Sequence, residues 1–160
     1  MRARGHARGF TLIELVITVA IVGLLATAAL PLISMAVQRE KETELRSALH
    51  EIRGAIDAYR DAADQGRITV PADGSHYPPN LDVLYQGVED ARSAQKSQIY
   101  FLRRVPRDPF FPDASASAAE SWGLRSYASP PSDPQPGNDV YDVHSLSTDK
   151  GLNGVPYREW

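Results

Sequence analysis

The sequence predicts an α+β protein in which one long N-terminal helix packs on a small antiparallel sheet. Three observations predict it. Residues 15–37 carry no charge over 23 positions. The next stretch, residues 38–63, contains no proline and a single glycine, and its apolar residues recur at three- and four-residue steps. Two short runs rich in aromatic and β-branched residues, 122–128 and 140–144, then follow a proline-punctuated middle. At 160 residues the chain is long enough for one modest core and an apolar segment, not for two independent cores.

The chain opens on a basic leader, residues 1–9, holding Arg2, Arg4 and Arg8 and no acid. The uncharged run behind it has the length to cross a bilayer, for which about 20 helical residues suffice. A secretory signal is a poorer fit, because its apolar region is roughly 7–15 residues long. Here the run continues well past the small residues Ala26, Thr27 and Ala28. A plain anchor does not explain Glu14, the one acid at the head of the run. A charge deep in a membrane helix costs on the order of 2.5–3.5 kcal/mol, less near the interface, so Glu14 calls for a partner. Gly23 and Pro31 are expected to interrupt this half of the helix, since proline removes a backbone hydrogen bond.

In residues 38–63, Leu45, Ala48, Leu49, Ile52, Ile56 and Tyr59 mark one buried face. Glu42 and Arg46 form an i,i+4 pair assigned to the exposed side. Gln65 and Gly66 give a plausible stop, so the helix runs from about Phe10 to about Ala63, roughly 80 Å at 1.5 Å per residue. Pro71, Gly74, Pro78 and Pro79 punctuate a loop, and Asn80 reads as the N-cap of a short helix over 80–84. Residues 89–98 are polar and ambiguous. The strands 122–128 and 140–144 are separated by Pro130, Pro131, Pro134, Pro136 and Gly137, which must be loop. Turn signals recur in the tail at Gly151 and Gly154.

The formal charge of −3 becomes −6 without the leader, from 14 basic against 20 acidic residues, because the leader removes three arginines from the 17. That balance argues against a nucleic-acid partner. Basic residues before the span and an acidic body after it orient the N-terminus to the cytoplasm. No cysteine is present, which excludes a disulfide framework, a zinc–thiolate site and a thiol nucleophile. His50-Glu51 begins like a zinc-protease motif, but Gly54 stands where the second histidine is needed. His76 and His144 are assigned solvated or packing roles, and Arg103-Arg104 a solvated turn. No nucleophile elbow or phosphate loop is present, so the chain reads as a non-enzyme.

The stretch Gly9-Phe10-Thr11-Leu12-Ile13-Glu14 followed by an apolar run resembles the N-terminus of the type IV prepilin superfamily of pilins and pseudopilins. The resemblance implies that a prepilin peptidase cuts after Gly9, that Phe10 becomes the N-methylated first residue, and that Glu14 serves assembly. It implies a pilin-like fold with leader 1–9, a transmembrane and filament-core helix over 10–37, and a periplasmic globular part over 38–160. The helix between Gly23 and Pro31 is then a segment that unwinds in a filament. Leu102-Arg103-Arg104 with Pro106-Arg107-Asp108-Pro109, and Trp122-Gly123 further on, are most similar to the major pseudopilins of type II secretion. An Ala/Ser-rich insert over 111–121 separates the two motifs here.

By that resemblance the chain is a subunit of a homo-oligomeric pseudopilus, anchored in the bacterial inner membrane and polymerised to drive protein export. Its partners are minor pseudopilins and an inner-membrane assembly platform. A type IV pilin, a minor pseudopilin of a related machine, or a membrane-anchored periplasmic binding domain are the alternatives. The resemblance also implies a calcium ion in the C-terminal loop, with Leu146 and Asp149 in ligand positions. The later acidic pair of that loop is missing. Calcium takes six to eight oxygens, so a site here is expected to be weak or replaced by direct hydrogen bonding.

Overall fold

A computed structural model describes residues 10–71 and 74–160, with the side chains of 28–32 outside that description. The leader, and with it Gly9, lies outside the described residues. The chain divides into two compact units, one ending at Arg39 and the other spanning Glu40–Trp160.

Helix α1, Leu12–Asp64, is assigned without a break and passes through Gly23 and Pro31. The interruption expected at those two positions therefore does not break the helix of the single chain. Its end is a Schellman motif: Gly66, at φ +66°, donates to the Ala63 carbonyl and Arg67 to that of Ala62. A residue with a side chain disfavours that backbone conformation, so the stop read from Gln65-Gly66 has a steric cause.

In the second unit the periodic face of α1 is the core. Leu45, Ala48, Leu49, Ile52, Ile56 and Tyr59 are each between 0% and 5% exposed. They pack with Leu81, Leu84, Leu102, Trp122, Val140, Val143 and Tyr157. The short helix α2 is Asp82–Gln86, one or two residues later than expected. The Asn80 side chain still caps its first turn, accepting from the Val83 N–H at 3.0 Å.

The sheet differs from the expectation in being two small antiparallel ribbons. Strand β1, Val88–Glu89, pairs with β2, Gln98–Ile99. Strand β3, Trp122–Arg125, pairs with β4, Asp142–Ser145, with Trp122 opposite Ser145 and Gly123 opposite His144. The first ribbon was ambiguous in sequence because its flanks are polar and its pairing is two residues long. Asp90 holds its turn together, taking both the Arg67 guanidinium at 2.7 Å and the Arg92 N–H at 3.0 Å. Those bonds, Arg67 first, hold the Asp90 carboxyl below its ordinary range.

The insert that separates the two sequence motifs folds away and leaves them in contact. Trp122 donates its indole N–H to the Pro106 carbonyl at 2.8 Å, and the Asp108 N–H reaches Ser121 Oγ at 3.1 Å. The buried Asp108 carboxylate accepts the Ser145 hydroxyl at 2.6 Å and the Phe110 N–H at 2.8 Å. Arg107 binds the insert itself through the carbonyls of Asp113 and Ala116. A turn, β3 and β4 are thus tied by one satisfied polar network, which a buried carboxylate requires.

Candidate functional site

The functional candidates cluster at the head of α1. Thr11 and Glu14 form a reciprocal capping box. The Glu14 carboxylate accepts the Thr11 N–H and the Thr11 hydroxyl, both at 2.8 Å, while Thr11 Oγ1 accepts the Glu14 N–H at 3.3 Å. Helix N-termini leave backbone donors without partners, and Ser/Thr-x-x-Glu satisfies two of them. In the single chain Glu14 therefore already has a partner, its own helix start. The signal lay in the sequence as Thr-x-x-Glu before an apolar run, and reading Glu14 as a lone charge passed over it. Phe10 precedes the helix, which starts at Leu12 rather than at about Phe10.

Behind this cap the described apolar side chains are exposed on every face, from 42% at Met35 to 82% at Leu12. A helix that is apolar all round belongs in a protein core or a membrane. Even its hydroxyls are turned inward: Thr18 donates to the Leu15 carbonyl at 2.9 Å and Thr27 to that of Leu24 at 2.7 Å. Among the described residues no helix is long and apolar enough to cross a membrane. The run read from the sequence includes residues 28–32, whose side chains are not described.

The other expected positions are dispersed. Leu146 and Asp149 lie in the loop after β4 and are both exposed. Arg103 and Arg104 are exposed, in keeping with a solvated turn. His76 is hydrogen-bonded rather than merely solvated, its Nδ1 2.6 Å from Asp64 Oδ1. His144 packs against Gly123, where an added Cβ would stand 2.2 Å from its Nε2. Burial pushes the pKa of that imidazole down. Among the described residues no three His, Asp or Glu gather as a metal site.

Glu42 corrects the sequence reading. It is buried rather than on the exposed side, and its carboxylate faces the C-terminal loop, while Arg46 lies over the Trp160 ring at 4.3 Å. Arg53 was also missed. It joins α1 to β4 and the tail, donating to Asp142 Oδ1 at 2.8 Å, to the Val143 carbonyl at 3.2 Å and to the Trp160 carbonyl at 2.8 Å.

A capped, solvent-facing apolar helix start continuing into the core helix of a small α+β body defines a pilin-like protein. Residues 4–30 match the prokaryotic N-terminal methylation motif. The chain is similar to the type II secretion system core protein G of Escherichia coli strain K12, at 26% identity over 114 residues, covering 69% of this chain and 71% of that protein. It is also similar to the core protein G of Klebsiella pneumoniae, at 27% over 110 residues, covering 66% and 71%. With that of Klebsiella michiganensis it is 24% identical over 140 residues, covering 85% and 91%. No solved structure matches the chain. Motif and relatives together support a pilin-like protein of the major-pseudopilin kind.

Proposed function

We propose that the chain is a structural, non-enzymatic subunit of a type II secretion pseudopilus. The observation that carries this reading is the capping box of Thr11 and Glu14 at the head of a helix whose described apolar side chains up to Val37 are exposed. The prepilin peptidase cuts between Gly9 and Phe10, and Phe10 is N-methylated. The cut places a positive amine beside a helix start that already holds a carboxylate. Before assembly, residues 10–37 are buried in the inner membrane, with the N-terminus cytoplasmic and the second unit periplasmic. On polymerisation with further copies, driven by the assembly platform and in company with minor pseudopilins, the same residues become the filament core. The segment between Gly23 and Pro31, helical in the single chain, is the one that unwinds there. Glycine and proline both weaken a helix at that point.

Burying these side chains is worth about 25 cal/mol per Å² of apolar surface, whichever medium covers them. Lipid and neighbouring helices are therefore close in energy, and extraction from one into the other is feasible without chemistry at the site. Intact-mass spectrometry of the protein expressed with a prepilin peptidase tests the first step. The expected product begins at N-methylated Phe10. A product cleaved after Ala28, or one retaining Met1, contradicts the reading.

A further inference from the structure

The loop between β4 and the C-terminal turn, where the family resemblance implies calcium, has a donor set suited to an anion. Calcium is held by six to eight oxygens, mostly carboxylates and carbonyls. Here the Asp149 side chain is exposed, its carbonyl already accepts the Tyr157 N–H at 3.1 Å, and its own N–H is taken by Ser147 Oγ at 3.2 Å. Among the described residues no further acids gather beside it. What the loop directs toward α1 is hydrogen. The Leu152 N–H and the Tyr157 hydroxyl both donate to Glu42 Oε1, at 2.7 Å and 3.0 Å. Leu146 and Asp149 thus do not fit the ion.

We propose that the Glu42 carboxylate is the clasp of the C-terminal loop, holding it to α1 in the place of a metal ion. Both groups it binds lie more than a hundred residues away in sequence, so one side chain closes two long-range contacts of the body. Hydrogen bonds to a charged acceptor are stronger than neutral ones, and a buried carboxylate left without them is costly, so the loop and Glu42 hold each other. The surroundings fix the geometry. The Tyr157 ring is 1% exposed, stacks on Phe110 at 4.0 Å and meets Trp160 edge-on at 5.0 Å. An antiparallel bridge between Lys150 and Pro156, with the Gly151 N–H donating to Val155, shapes the loop that carries Leu152 to the carboxylate. The loop of this subunit is therefore closed in the absence of calcium, and its stability belongs to residue 42.

Limited trypsin digestion of the full chain in detergent, followed by mass spectrometry, tests this at the Lys150–Gly151 bond. Cleavage at the exposed Arg103–Arg104 turn is the internal control. The expected wild-type rate at Lys150 is the same in calcium and in excess chelator. Glu42→Ala is expected to raise it about tenfold or more, with no rescue by calcium, because cleavage follows the population of the open loop. If Glu42→Ala accelerates the control bond as well, the fold itself has loosened, and Tyr157→Phe decides, since it removes one clasp bond and keeps the ring. Acceleration confined to Lys150 in that variant supports the clasp. An unchanged Lys150 rate in both variants overturns it, as does a wild-type rate that rises with chelator.

Discussion

One helix meets two fates in this molecule. Up to Val37 the described apolar side chains of α1 face outward, and Leu12 and Leu24 are 82% and 72% exposed. From Leu45 onward the apolar residues fall on a single stripe, and Leu45 and Ile52 are fully buried. The backbone is the same α-helix in both halves, so secondary structure does not distinguish them. The difference lies in what each half needs from outside itself. The second half finds its cover within the chain, and a one-sided cover leaves a 3.6-residue period in the sequence. The first half is apolar all round and carries no such period, as the proposed cover, a lipid phase or further copies, requires.

The largest expected effect sharpens that contrast. Ile52→Ala should lower the stability of the full chain in detergent by about 2–5 kcal/mol, the usual cost of truncating a core side chain. Leu24→Ala should change the same melt by no more than about 0.5 kcal/mol, as an exposed site does. Equal losses in the two variants would mean that the two halves of α1 are not partitioned in this way.

A smaller effect tests how dry the second unit is. His144 lies against Gly123, and burial lowers its pKa. A histidine whose folded pKa is depressed stabilises fully above the ordinary imidazole value of about 6.5. That contribution is lost as pH falls below this value, since the unfolded chain then binds the proton more readily. Melting temperature should accordingly decline as pH drops from 7 toward 5, and His144→Gln should flatten that part of the profile. An identical slope in wild type and variant would place the titration elsewhere.

The long helix, its stop, the core stripe and the second ribbon were legible because each depends on local pattern: a period, a glycine at a positive φ, aromatic and β-branched runs separated by prolines. The residues that join distant parts were not. Glu42 looked like half of a surface ion pair with Arg46, since sequence spacing shows neighbours on a helix but not what folds over them. Its partners Leu152 and Tyr157 come from the far end of the chain. The same holds for Arg53 with Asp142 and for Asp108 with Ser145. In the candidate site, Gly9, Phe10 and Glu14 were readable as a motif. Thr11 was not legible from charge, because its role is the neutral half of the cap that it makes with Glu14.

On the proposed function the first half of α1 is built for other copies, with Glu14 setting the register. In the single chain that carboxylate caps its own helix. In a filament of staggered copies it can instead meet the amine of a neighbour's processed Phe10. Two unit charges about 4 Å apart attract by about 4 kcal/mol at an effective dielectric near 20, an upper figure before desolvation is subtracted. A slip of one residue leaves both charges without a partner in an apolar core, so the pair selects register as well as adding strength. The direct measurement is filament yield and secretion for Glu14→Ala in cells with the rest of the machine in place, with processing and membrane insertion followed in the same samples. Normal processing and insertion with little filament and little export is the predicted result. Wild-type filament and export from that variant would contradict the claim.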